Sequence, residues 1–170
     1  MSKSFLVLGL LLLVPFTLAA QEGFQDPLLD RFTGQWVLRG TIAGEEVVHD
    51  LDAEWVLGHH YLRFHELARE RDEDRNPAYE AIVFIGWDEA SGRYACLWLD
   101  STGGEGLTNG VLGYAEPDDD TLAFVFVGPG FGPFHTTFTY EEDGGSWRWT
   151  MDAVNGEERR PFARLRMTRR

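Results

Sequence analysis

The chain has 170 residues, the length of a single domain and enough to enclose a hydrophobic core. Its 28 acidic residues outnumber its 15 basic ones, so the formal net charge is −13. Such a surface repels the phosphates of nucleic acids and anionic lipids, and we therefore expect no nucleic-acid partner. The single cysteine, Cys96, has no second thiol in the chain for a disulfide, and its apolar surroundings predict a buried side chain.

The N-terminal segment, residues 1–20, has the pattern of a secretory signal peptide. Lys3 provides a basic start, residues 5–14 an apolar run, and residues 17–20 (TLAA) a small-residue cleavage region. The apolar run is short for a bilayer span, so we expect no stable membrane insertion after cleavage. The sequence predicts an exported protein, periplasmic or secreted, in which a flexible segment at 21–27 precedes one domain at 28–170.

The domain reads as short strands separated by turn residues, after a single helical turn at residues 28–32. The alternation is clearest over residues 45–55, where apolar side chains and His49 share one face while acids fill most of the other. No long helical pattern occurs in the sequence. The predicted strands are residues 34–42, 45–55, 59–68, 78–87, 93–100, 107–116, 121–127, 134–140, 146–154 and 158–167.

The connections between these strands are short enough for hairpins. Asn155-Gly156 is a strong two-residue hairpin signal, residues 69–76 predict a charged solvated loop, and residues 128–133 predict a loop that is either a flap over a barrel mouth or ordinary surface. About ten strands joined by hairpins favour an all-β fold, a single antiparallel up-and-down β-barrel of lipocalin-like type. Residues 82–87 and 95–99 are apolar on both faces, which leaves their inward face unassigned and is compatible with a homodimer interface.

Several segments resemble the successive markers of the DUF1579 family. They are residues 55–62 (WVLGHHYL), 85–88 (IGWD), a Tyr94-x-x-x-Trp98-x-Asp100-Ser101 pattern, and 155–158 (NGEE) before a basic last strand. The likeness keeps its order through the predicted domain, with two departures. His59-His60 stands in place of the usual Gly-Arg, and Trp87 in place of the usual Tyr. The resemblance implies a lipocalin-like or nitrobindin-like barrel and no defined activity.

A second likeness lies at the start of the domain. Gly34-Gln35-Trp36 is similar to the G-x-W motif of lipocalins, in which an arginine of the last strand packs on the tryptophan. This likeness implies that Arg164 or Arg166 makes a cation–π contact with Trp36.

A barrel with aromatic interior positions and a few polar ones predicts non-covalent binding of a small apolar or amphipathic molecule. No nucleophile elbow, P-loop, HExxH or CxxC motif occurs in the sequence, so we assign no catalytic residue and favour a non-catalytic role. An alternative is a filled structural or interaction barrel without a ligand. The candidate cavity lining is His49, Trp55, Tyr94, Trp98, Asp100, Phe138 and Trp149.

The histidines do not predict a metal site. His59 and His65 on one strand would lie about 20 Å apart at about 3.3 Å per residue, with Arg63 between them. The nitrobindin likeness implies haem as an alternative, with His135 or His49 as the axial ligand. The glycine-rich start of nitrobindins does not follow Trp36, however, so no cofactor is the preferred prediction.

Overall fold

The computed structural model describes residues 23–102, 112–128 and 131–170, and the segment predicted as a signal peptide lies outside these ranges. The described residues form a short helix, ten strands and a 3-10 turn at Glu142–Gly144. The elements are α1 (Pro27–Asp30), β1 (Gly34–Ile42), β2 (Glu45–Val56), β3 (Tyr61–Ala68), β4 (Glu80–Asp88), β5 (Arg93–Asp100), β6 (Leu112–Ala115), β7 (Thr121–Gly128), β8 (Phe131–Glu141), β9 (Ser146–Asn155) and β10 (Glu158–Arg169).

The ten strands close into one antiparallel barrel in which each strand pairs with the next along the chain. Closure is made by β1, where Trp36 lies opposite Leu51 on β2 and opposite Arg169 on β10. Because a closed barrel leaves no unpaired sheet edge, backbone hydrogen bonding is satisfied around the circumference. The predicted all-β, up-and-down fold of about ten strands is confirmed.

The alternation predicted for the second strand determines which side faces the interior. His49, Leu51 and Ala53 are buried on β2, and the acidic positions between them point outward. For the two strands that the sequence left unassigned, the buried residues identify the inward face. It carries Ala81, Val83 and Ile85 on β4, and Tyr94 and Cys96 on β5.

Several strand boundaries differ from the prediction by one to three residues. β3 begins at Tyr61, because His59 takes a positive φ of 69° in the β2–β3 turn. β8 begins at Phe131, so residues 131–133 belong to a strand and not to the predicted loop; residues 129–130 lie outside the described ranges. Of the predicted strand at 107–116, the structure describes β6 and the residues that follow it.

The helix α1 closes one end of the barrel. Asp26 caps it by accepting hydrogen bonds from the backbone N–H groups of Leu28 and Leu29, at 2.8 and 2.9 Å. The side chains of Leu29 and Phe32 are fully buried, and the Phe32 ring stacks on Trp147 with centroids 3.6 Å apart. This end is therefore a packed apolar core. No helix among the described residues is long and apolar enough to span a bilayer.

The segment before α1 is attached to the barrel, in contrast to the predicted flexible segment at 21–27. Phe24 stacks on Trp87 with ring centroids 5.9 Å apart. Asp26 is 7% exposed and accepts a hydrogen bond of 2.5 Å from the Tyr94 hydroxyl. These contacts hold the described part of the segment, from residue 23, against β4 and β5.

Candidate functional site

The barrel end opposite α1, which we call the mouth, contains polar side chains that face the interior. It lies where β3 and β5 end and β2 begins. Five of these side chains, which we call the mouth cluster, contact one another in a chain: His49, Glu66, Tyr79, Trp98 and Asp100.

The deepest part of the mouth cluster is a buried pair. His49 Nδ1 lies 2.5 Å from Glu66 Oε1, and the two residues are 4% and 2% exposed. Burial raises the pKa of the Glu66 carboxyl; the hydrogen bond and charge of His49 oppose this shift, and the charge of Asp100 adds to it. Since Nδ1 of His49 is engaged by Glu66, Nε2 is the ring nitrogen left for other partners.

Tyr79 covers this pair and links it to β5. Its ring stacks on His49 with centroids 5.6 Å apart. Its hydroxyl donates to Asp100 Oδ2 at 3.4 Å and accepts from Trp98 Nε1 at 3.3 Å. Burial, followed by the negative charges of Glu66 and Asp100, raises the pKa of Tyr79, so the phenol stays neutral and remains a donor.

Asp100 has two roles that the sequence left open. Its Oδ1 accepts hydrogen bonds from the Thr102 backbone N–H at 3.0 Å and from the Thr102 hydroxyl at 2.5 Å, as a strand-end residue does. Its Oδ2 contacts Tyr79 inside the barrel. The turn thus fixes the carboxylate while one oxygen faces the mouth cluster.

Trp149 lies beneath the cluster. It is fully buried, and its ring centroid is 5.6 Å from that of Trp98. Its Nε1 has no hydrogen-bond partner among the described residues. A buried N–H group without a partner costs on the order of 1–3 kcal/mol, so this group would gain from an acceptor.

Two aromatic side chains lie at the same end of the barrel as the mouth cluster. Phe134 on β8 and Phe162 on β10 pack edge to face with centroids 5.4 Å apart. The β9–β10 register shifts between Pro161 and Ala163, and a bulge of this kind redirects the side chain it contains. Phe162 remains 41% exposed. The mouth therefore combines polar groups with accessible aromatic surface.

The seven residues predicted to line a cavity occupy three levels of the barrel. His49, Trp98 and Asp100 lie at the mouth. Phe138 and Trp149 are opposite each other in the β8–β9 register and pack in the middle, with ring centroids 4.7 Å apart. Trp55 and Tyr94 lie at the α1 end, where they bond Asp30 and Asp26.

Two members of the mouth cluster were missed by the sequence reasoning. Glu66 shares the inward face of β3 with Leu62, Phe64 and Ala68, and an acid in that apolar series was a readable signal. Tyr79 precedes β4 and keeps the phase of Ala81. It could be placed only once the inward face of β4 was known.

Three other histidines do not join the mouth cluster. His135 lies on the outer face of β8, between the inward-facing Phe134 and Thr136, so it does not join the mouth cluster. Burial and the nearby Arg159 lower its pKa. His59 stacks on Trp55 in the β2–β3 turn, 4.1 Å between centroids, and His65 bonds Glu80 on the outer face.

In the part of the chain that the structure describes, the remaining reactive and metal-binding side chains form no second interior site. Cys96 is fully buried, and burial raises the pKa of its thiol, as expected of a structural cysteine. Within the described ranges, no group of three or more His, Cys, Asp or Glu side chains is arranged to hold a metal ion. A groove of about 290 Å³ lies on the outer face of β1, β10, β9 and the end of β8, lined by Arg39, Glu141, Arg148, Thr150, Arg164, Leu165 and Arg166.

Comparison with known proteins supports the barrel fold and does not identify a function. No family model matches the chain, and no curated protein matches it in sequence. The chain is similar in structure to Rv2717c from M. tuberculosis, known from a crystal structure, with a TM-score of 0.55 and 12% identity. The match covers 85% of this chain and 98% of that chain. Likeness at this identity shows a shared barrel fold, and the DUF1579 resemblance stays a prediction.

Proposed function

We propose that the chain is an exported, non-catalytic barrel that binds a small apolar or amphipathic molecule at its mouth. The observation that carries this proposal is the mouth cluster, in which half-buried Tyr79, Trp98 and Asp100 overlie the buried His49–Glu66 pair. Aromatic surface beside a few fixed polar groups is the usual composition of a small-molecule site.

The difference between the two barrel ends supports the proposal. The α1 end is filled by fully buried apolar side chains, among them Phe32 and Trp147. The mouth places a carboxyl group and an imidazole in the interior, where burying polar and charged groups is costly. An apolar pair would fill the same space at lower cost, and proteins depart from this rule mostly at functional sites.

Export is proposed from residues 1–20, whose basic start, apolar run and small-residue end are typical of a signal peptide. The test is expression of the full chain in an exporting host, followed by native mass spectrometry of the purified protein. We expect loss of the first 19 or 20 residues, the cleavage region of a signal peptide ending at TLAA. We also expect extra mass that is released on denaturation.

A second experiment locates the binding site. Because Trp98 lies in the mouth cluster, titration with an apolar probe should change tryptophan emission. Tyr79→Phe should weaken uptake, whereas Val127→Ser on the exposed outer face of β7 should not. A folded protein that carries no extra mass and takes up no probe would contradict the proposal. That result would favour a filled structural barrel.

Haem binding is a second candidate, because His49 is buried and its Nδ1 bonds a carboxylate. This arrangement orients a histidine for coordination through Nε2. When bound, haem would supply iron chemistry toward small diatomic ligands. We expect a Soret band on haem titration that His49→Ala removes and His135→Ala leaves. Absence of the band in the unsubstituted protein would eliminate this candidate.

A further inference from the structure

We propose that the ligand of the mouth is a cation, a quaternary or protonated amine, that also carries an ester-type or amide-type oxygen. This inference rests on the proposed function and specifies the chemistry of the molecule that the mouth selects. Three independent features of the described residues support it: interior charge, aromatic surface and an unpartnered donor.

The charge of the mouth favours a cation. Glu66 and Asp100 both face the interior, and no described Arg or Lys forms a hydrogen bond or an ion pair with either carboxyl group. Arg169, which has the inward phase of β10, lies at the α1 end over Trp36. His49 is the basic member of the mouth cluster, and it is engaged by Glu66. Among the described residues, Asp100 Oδ2 has the neutral phenol of Tyr79 as its one interior partner, at 3.4 Å. An anionic head group would meet repulsion there, and a cation would compensate the desolvated charge.

The aromatic groups beside Asp100 provide the second feature. The Tyr79 hydroxyl and the Trp98 indole nitrogen lie 3.3 Å apart, and both side chains are half-buried. Electron-rich ring faces next to a carboxylate bind alkylammonium groups by cation–π attraction, and the interaction is strongest with tryptophan. The formal net charge of −13 also raises the local concentration of cations around the protein.

Trp149 provides the third feature. Its Nε1 is buried without a partner among the described residues, and its ring neighbours Trp98. An ammonium group has only donors or methyl groups to offer and cannot satisfy an N–H donor. A carbonyl oxygen elsewhere in the same ligand would supply the missing acceptor, so we infer a cationic ligand with an oxygen acceptor.

The test uses two probes of nearly the same shape, butyrylcholine and its neutral carbon analogue 3,3-dimethylbutyl butyrate, with hexanoate as the anionic comparison. Affinities are measured by isothermal titration calorimetry on the full mature protein at low ionic strength. We expect the choline ester to bind at least about tenfold more tightly than the neutral ester, the ratio that corresponds to about 1.4 kcal/mol. We expect hexanoate to bind least.

Variants separate the two contacts. Asp100→Asn should weaken binding of the choline ester and leave binding of the neutral ester unchanged. The preference for the cationic ester would then be lost. Glu80→Gln makes the same charge change on the outer face, where Glu80 bonds His65, and should preserve the preference. Trp149→Phe should weaken binding of both esters by the same factor, because it removes the indole N–H donor and leaves the carboxylate of Asp100 in place.

The outcomes distinguish this inference from the proposed function. Equal binding of the two esters, or tighter binding of hexanoate, would overturn the cation inference while leaving a small-molecule barrel. A preference that Glu80→Gln abolishes as fully as Asp100→Asn would also overturn it, since diffuse surface charge would then explain the selectivity. Failure of all three probes to bind the folded protein would overturn both the inference and the proposed function.

Discussion

Arg169 packs over Trp36, with its guanidinium carbon 3.9 Å from the centroid of the indole ring. The same guanidinium donates to the carbonyl of Arg31 at 3.0 Å and to that of Thr33. The last strand is thereby joined to the first strand and to the segment that follows α1. The sequence predicted such a contact for Arg164 or Arg166; the structure assigns it to Arg169, because only this position lies opposite Trp36 in the β1–β10 register.

Replacing Arg169 should therefore destabilise the closed end of the barrel. We expect Arg169→Ala to lower the free energy of unfolding by about 1–3 kcal/mol, from the cation–π contact and the two carbonyl hydrogen bonds together. Arg169→Lys should recover only part of this, because an ammonium cannot reproduce the planar fork. Urea unfolding measures the change, with exposed Arg159→Ala as the control. Equal effects at the two positions would contradict the assignment.

The contact between Tyr94 and Asp26 should hold α1 in place. Tyr94→Phe removes the hydroxyl that donates to Asp26 Oδ2 and leaves that buried oxygen without this partner, so we expect a loss of about 1–3 kcal/mol. Amide hydrogen exchange should show faster exchange at Leu28 and Leu29, whose N–H groups bond Asp26 Oδ1. Tyr61→Phe, at an exposed tyrosine, is the matched control. Unchanged exchange at α1 in Tyr94→Phe would refute this role.

Two glycines of the first hairpin should respond differently to alanine. Gly40 has a φ of +147°, and a Cβ there would overlap the backbone carbonyl oxygen of Arg164 on β10. Gly44 has a φ of +88° and open space around the added atom. Gly44→Ala should cost about 1–2 kcal/mol for the backbone strain alone, and Gly40→Ala more by at least about 2 kcal/mol for the added overlap. Similar unfolding midpoints for the two variants would contradict this prediction. They would mean that β10 moves away from a Cβ at position 40 without a measurable loss of stability.

The Glu66 carboxyl should make stability depend on pH. Its pKa in the folded protein is raised above the ordinary 4.5, so the folded state holds its proton more tightly than the unfolded state. The contribution of this proton to the free energy of unfolding is therefore complete below about pH 4.5. It is lost as the pH rises through the pKa of Glu66 in the folded protein. Glu66→Gln keeps an acceptor for His49 and does not titrate. We expect the stability of Glu66→Gln relative to the unsubstituted protein to increase from pH 4 toward neutrality.

Urea unfolding at several pH values measures this difference. Subtracting the two profiles removes the contribution of the surface carboxylates, which both proteins share. A difference that stays constant with pH would mean that Glu66 titrates in the folded state as it does in the unfolded state.

Much of the fold could be read from local patterns. Alternation over residues 45–55 placed His49 on the inward face of β2, and Asn155-Gly156 located the last hairpin. The limits of β1 and β5 were predicted to the residue. These features depend on side-chain periodicity and turn chemistry, which neighbouring residues determine without help from the rest of the chain.

The site was harder to predict, because its members come from separate strands. His49 and Glu66 meet through the register of β2 against β3, and Tyr79 joins them from the segment before β4. Trp55 and Tyr94 share the inward phase with His49 and Trp98 but lie at the opposite end of the barrel. Alternation gives the face of a strand and not the level along the barrel axis at which each side chain lies.

The sequence by itself determined that this chain forms a barrel of short antiparallel strands, because period-two burial and turn residues are local properties. Only the tertiary structure decided that Glu66 and Tyr79 join His49, Trp98 and Asp100 at the mouth, and that Arg169 covers Trp36. Those contacts depend on strand register and on closure of β1 against β10, which are fixed when the whole sheet pairs and packs around a common core.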